Sequence, residues 1–106
     1  MNAVAENAFA NWRRALAGEK VPVHETEPWL GYFQVQDRSP DAKPTKGNRW
    51  PLLPCAIWNE DGEIVAERGG ARVPVEWVWP FAARRPISYE TYQFWHQNRR
   101  WPEDAE

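Results

Sequence analysis

Eight tryptophans in a chain of 106 residues are the feature that most constrains its fold. Each indole buries up to about 250 Å², and a chain of this length has room for a single core. The rings can therefore supply most of the buried area, which compensates for the scarcity of Leu and Ile. Any indole that stays outside is a typical anchor for a partner. The tryptophan content alone leaves both uses open.

The composition predicts one globular domain spanning residues 1–106. Apolar residues make up 42% and charged residues 26%, whereas ten prolines indicate much turn structure. The single cysteine, Cys55, excludes an internal disulfide, and its apolar neighbours predict a small buried side chain in a reducing compartment. Apolar runs stay far below the ~18 residues of a membrane span, and a signal-peptide pattern is missing. We therefore expect a cytoplasmic protein that does not enter membranes.

Local patterns predict a helix at each end of the chain. Phe9, Trp12 and Leu16 recur at helical spacing within residues 2–20, and Gly18 is suited to end that helix. Ser88 is the expected N-cap of a second helix that closes near Trp101. Residues 103–106 are expected to form a frayed acidic tail.

Between the helices the pattern predicts strands. "GYFQVQD" alternates over residues 31–37, and "LLPCAIW" and "EIVAER" flank the turn "NEDG". Pro54 is expected at a strand start, an edge or a bulge, and "ARV" after the reversal at Gly69-Gly70 is a candidate for an additional short strand or strand fragment. The predicted fold is α+β: an N-terminal helix, a small antiparallel three-stranded meander and a C-terminal helix, with both helices on one face of the sheet.

Two segments are candidates for a contact surface. Residues 38–51 form a long basic, Pro-rich loop, of a length typical of functional or disordered connections. "VEWVWPFAARRP", residues 75–86, combines two tryptophans with an arginine pair; we refer to it as the corner. Trp77 and Trp79 lie two positions apart, so Trp79 is expected inside beside Pro80, while the position of Trp77 stays open. The candidate partner-binding residues are Lys43, Lys46, Arg49, Trp50, Trp77, Arg84 and Arg85.

Catalytic and metal-binding patterns are weak. Cys55, His24 and His96 are scattered without the spacing of a metal site. Cys55 or Ser88 with His96 would form a nucleophile pair only by chance, and Ser88 already has a capping role. We expect a protein without enzymatic activity, cofactor or metal.

The order of "GYFQVQD", "LLPCAIW", "VWP" and "RPISYETY" over roughly residues 28–102 resembles small uncharacterised proteins of bacteriophages and prophages. In that pattern arginines stand where this chain has Gln34 and Gln36, so no anion-binding role on this strand is carried over. The resemblance implies a phage accessory protein and brings no catalytic residues. Small phage proteins of this kind are often inhibitors of host or defence machinery, including anti-CRISPR proteins.

The sequence thus leads to two hypotheses. The first is a non-enzymatic adaptor or inhibitor that binds a protein partner through the basic loop and the corner, because Trp and Arg beside rigid prolines suit an interface. The alternative is a module for single-stranded nucleic acid or a small ligand that uses stacked tryptophans and arginines, with Arg99 and Arg100 added. The oligomeric state stays open.

Overall fold

The chain folds around an antiparallel sheet, as a computed structural model that describes residues 3–37, 43–44 and 50–102 shows. Within those ranges the helices are α1 (Ala3–Leu16) and α2 (Tyr89–Asn98). The strands are β1 (Gly31–Gln36), β2 (Leu52–Glu60), β3 (Glu63–Arg68) and β4 (Ala71–Val73). Short 3-10 helices at Val75–Trp77 and Phe81–Arg84 form the corner. No helix of the described ranges is long and apolar enough to cross a bilayer.

The sheet is a meander in the order β1-β2-β3-β4, which confirms the α+β class and corrects the number of strands. The three predicted strands are joined by a fourth, because "ARV" pairs fully with β3 in a ladder that runs from Arg68↔Ala71 to Ala66↔Val73. Gly69 and Gly70 both adopt positive φ, 61° and 91°. A two-residue turn of this hand matches the twist of the flanking strands and returns the chain directly along β3.

Pro54 lies near the start of β2, opposite Gln34, where β2 pairs with β1 alone, in agreement with the prediction of a strand start or edge. The ladder between β2 and β3 begins only at Cys55↔Arg68. Beyond it, the Pro54 carbonyl accepts a hydrogen bond of 2.8 Å from the Gly69 N–H in the turn. No ladder donor is required at Pro54, and the imino acid is tolerated in a central strand.

One face of the sheet carries the core. Phe33 and Ile57 lie on this face and are 0% and 1% exposed, and the corner covers them with Trp79, which is 2% exposed. The Trp79 ring packs edge-on against Trp29 with centroids 5.1 Å apart, and its Nε1 donates to the His24 carbonyl at 2.8 Å. The predicted burial of Trp79 is confirmed, and its indole ties the connector before β1 to the core.

The opposite face of the sheet is covered by α2. Tyr92 packs against Tyr32 with ring centroids 4.8 Å apart, and its hydroxyl donates a hydrogen bond to the Glu67 carboxylate. The predicted N-cap is confirmed, since Ser88 Oγ accepts from the Thr91 N–H at 3.1 Å. Gly18 follows α1 as predicted, with its N–H donating to Ala15 O at 3.0 Å.

Helix α1 packs against the outer edge of β1, so the prediction that both helices share one face was wrong. Trp12 is 9% exposed, and its Nε1 donates to the carbonyls of Tyr32 at 2.9 Å and Ile87 at 3.1 Å. A buried indole N–H needs an acceptor, and these two carbonyls converge where β1 and the chain after the corner meet. The hydrogen bonds therefore place α1 at this edge.

Gly31 is the point where α1 and β1 approach most closely, so we predict that Gly31→Ala destabilises the fold. A Cβ at this position would lie 2.3 Å from Trp12 Cγ, and overpacking of this kind costs about 1–3 kcal/mol. Chemical denaturation would measure the loss in the free energy of unfolding.

Gly62→Ala is the control for this substitution. It places a Cβ at positive φ, 88°, with nothing within 4 Å, so it carries backbone strain without overlap. A smaller or equal loss in Gly31→Ala would contradict the proposed contact.

Candidate binding groove

A groove of about 540 Å³ opens between β1 and the corner. This size lies within the range of ~300–1,000 Å³ that is typical of ligand sites. The groove is lined by two glutamines, two valines, two aromatic residues and three arginines: Gln34, Gln36, Val35, Val78, Trp77, Phe81, Arg68, Arg84 and Arg85. We call it the arginine groove.

Backbone hydrogen bonds fix the wall of the groove. The Gln34 N–H donates to Arg85 O at 2.9 Å, and the Ile87 N–H donates to Tyr32 O at 3.0 Å. Residues 85–87 thus run antiparallel to the outer edge of β1, with Phe33 bridged to Pro86. This pairing holds the arginine pair of the corner beside the end of β1.

The aromatic part of the groove consists of exposed rings above a buried floor. Trp77 is 61% exposed and Phe81 64%, the largest exposed fractions among the large apolar side chains in the described ranges. Val78 and Val35, at 1% and 5%, form the floor. Because Trp79 turns into the core, Trp77 two positions earlier is left outside, which answers the question that the sequence left open.

Among the described residues that line the groove, the charged side chains are all basic. Arg84 and Arg85 are exposed at the corner, and Arg68 is half-buried at the end of β3. In the part of the chain that the structure describes, none of the three forms an ion pair, whereas Arg14 pairs with Glu19 elsewhere. Unneutralised guanidinium groups in a concave site raise the local concentration of anions.

Gln34 contributes to the wall of the groove from β1, and the whole residue is 8% exposed. Because side chains alternate along a strand, its side chain lies on the sheet face of Tyr32, opposite that of Phe33 and Val35.

The structure brings together three of the seven predicted residues: Trp77, Arg84 and Arg85. Lys43 is exposed, and Trp50 is half-buried and already in contact with another residue. Neither lines the groove. Lys46 and Arg49, with most of the predicted basic loop and the acidic tail, lie outside the described residues.

Arg68 and Gln34 were missed as groove residues by the sequence analysis. In the sequence, these residues are marked only by a position at or near the end of a predicted strand. Local patterns do not show which strand end faces the corner, because this depends on how the strands pair. Arg99 and Arg100, which the nucleic-acid alternative invoked, stack on α2 instead, with guanidinium carbons 5.0 Å from the Trp95 ring centroid and 5.2 Å from that of Phe94.

A second polar cluster lies between α2 and the sheet. His96 Nε2 is 3.7 Å from Glu67 Oε1 and is buried without a hydrogen-bond partner. Burial and the hydrogen bond to Glu67 raise the pKa of Tyr92 above its usual value of 10.0. The cluster holds α2 against the sheet. Within the described ranges, no group of three or more His, Cys, Asp or Glu is placed so that it could hold a metal ion.

Cys55 is buried as predicted, with 0% exposure. Burial, with a smaller contribution from Glu67, raises the pKa of the thiol to about 12. Since the thiolate is the nucleophile, this side chain is unsuited to covalent chemistry at neutral pH.

We therefore predict that Cys55 resists alkylation in the folded protein. Iodoacetamide at neutral pH should leave it unmodified, and should modify it fully in denaturant, as followed by mass spectrometry. Rapid modification without denaturant would contradict the burial of the thiol.

We also predict that the free energy of unfolding falls less steeply at alkaline pH in Tyr92→Phe than in the wild type. The raised pKa means that the unfolded state releases the phenolic proton first, so this contribution to stability is present below pH 10.0 and declines above it. The difference in the free energy of unfolding between wild type and Tyr92→Phe should therefore shrink by up to about 1.4 kcal/mol per pH unit above that point. Urea unfolding at about pH 8 and about pH 11 measures it, and a constant difference would contradict the raised pKa.

Comparison of the chain with protein-family models, curated proteins and solved structures found no match. The arginine groove itself is therefore the basis on which the function is argued.

Proposed function

We propose that this chain is a small non-enzymatic binding protein that acts as an adaptor or inhibitor of a larger protein through the arginine groove. One observation carries the proposal: the two most exposed large rings of the described chain, Trp77 and Phe81, share a concave site with three arginines that have no carboxylate partner there. Trp, Tyr and Arg dominate the residues that supply binding energy at interfaces.

The rigidity of the groove supports this proposal. The 3-10 helices of the corner and the pairing of residues 85–87 with β1 hold the arginine pair and both rings on backbone that is already ordered. Docking a partner then costs less conformational entropy than it would on a flexible loop.

Two further features agree with the proposal. The two candidate nucleophiles have structural roles, since Cys55 is buried in the core and Ser88 caps α2. The motif order resembles phage proteins, so the proposed action is inhibition of a host or defence protein in the cytoplasm, including anti-CRISPR-like activity.

Single-stranded nucleic acid is the second candidate ligand. The observation that favours it is the proximity of two exposed rings to three arginines, because stacking platforms for bases combine aromatic side chains with cations that contact phosphates. The salt dependence of the affinity distinguishes the two candidates, since binding to phosphates weakens steeply as the ionic strength rises.

Affinity capture from a host lysate with matched variants tests the proposal. We expect Arg84→Glu combined with Arg85→Glu to abolish capture of the partner protein, and Trp77→Ala to reduce it by about tenfold or more, since truncating a central anchor costs about 2 kcal/mol. Arg99→Glu with Arg100→Glu reverses an adjacent pair of equal charge just after α2 and should leave capture unchanged.

Two results would contradict the proposal. Capture that survives both groove substitutions would place the interface elsewhere. Capture that disappears after nuclease treatment, or that falls equally in the Arg99 and Arg100 variant, would favour the nucleic-acid candidate.

A further inference from the structure

We infer that the arginine groove binds a short acidic peptide segment in which carboxylates alternate with aromatic or branched apolar side chains. The inference rests on the proposed function and narrows it to the chemistry of the docked segment. Two parts of the groove carry it: Arg68 on β3, and the exposed rings Trp77 and Phe81 of the corner.

Arg68 is the carboxylate receptor. It lies at the end of β3, paired directly with the buried Cys55, and its side chain is half-buried. Its guanidinium has the planar fork of donors that forms two parallel hydrogen bonds to a carboxylate. The exposed Arg84 and Arg85 add positive charge at the rim, where they attract the segment.

Trp77 and Phe81 receive the apolar side chains of the segment. Both rings stand outside the core over the floor of Val35 and Val78. A ring or branched side chain inserted between them would remove apolar surface of both partners from water, at about 25 cal/mol per Å². Charge alone would not require this apolar floor.

A nucleic-acid strand requires a longer basic track than the described surface offers. Outside the groove Arg72 pairs with Glu60 at 3.2 Å, and Asp61 and Glu63 are exposed at the neighbouring turn. Continuous phosphate binding depends on cations spread along the strand. The three arginines gathered in the groove favour a short carboxylate segment instead.

Fluorescence anisotropy of the full chain tests the inference. The probe is a fluorescein-labelled peptide of alternating Glu and Phe, and two matched peptides replace Glu with Gln or Phe with Ala. We expect saturable binding of the first peptide and at least about tenfold weaker binding of each matched peptide, which corresponds to one lost charge-assisted contact or apolar anchor.

Protein variants assign the roles within the groove. Arg68→Gln should weaken the Glu-Phe peptide about tenfold, and Arg68→Lys should restore part of the affinity because it keeps the charge without the fork. Trp77→Ala should weaken the peptide, and the Arg99 and Arg100 charge reversal should not. Circular dichroism verifies folding, and if Arg68→Gln does not fold, Arg68→Lys and Trp77→Ala provide the same test.

Three results would overturn the inference. They are equal affinity for the Glu and Gln peptides, no effect of any groove substitution, and tighter binding of a labelled oligothymidylate of the same net charge than of the Glu-Phe peptide. Loss of host-protein capture in the Arg84 and Arg85 variant, without binding of the Glu-Phe peptide, would refute this inference and leave the proposed function standing.

Discussion

The pairing of residues 85–87 with the outer edge of β1 is the constraint on which the rest of the structure depends. It holds the corner against the sheet, and the Trp12 indole fastens the same junction by donating to Tyr32 O and Ile87 O. Without this pairing Arg84 and Arg85 would not stand beside β1. The edge of β1 would also expose unpaired backbone groups, which invite association with other chains.

The tryptophans explain how so small a protein forms a defined core. Three indole N–H groups donate to backbone carbonyls: that of Trp12 to Tyr32 and Ile87, that of Trp79 to His24, and that of Trp101 to Leu52. Each ring thus supplies apolar area and also a directional bond between segments distant in sequence. Trp77 is exposed instead, because Trp79, two residues later, takes the buried position. A side chain that the core does not use is available for binding.

Local chemistry made much of the fold predictable. Both helices, the N-cap at Ser88, the turns at "NEDG" and Gly69-Gly70, and the burial of Cys55 and Trp79 follow from spacing, capping and turn preferences that act within a few residues. The full pairing of the fourth strand and the placement of α1 were missed or wrong. Each depends on which groups meet in the folded chain, such as the Trp12 indole that donates to Ile87 O, and local patterns carry no information on such pairings.

The sequence by itself determined that rings and arginines would be adjacent in the corner, because adjacency along the chain guarantees proximity. Only the tertiary structure decided that Arg68 from β3 and Gln34 from β1 join Trp77, Phe81, Arg84 and Arg85 around one groove. The register of the meander and the antiparallel return after the corner bring these elements together. The physical reason is that convergence of distant segments is set by hydrogen bonds between strands, whose partners are selected during folding of the whole chain.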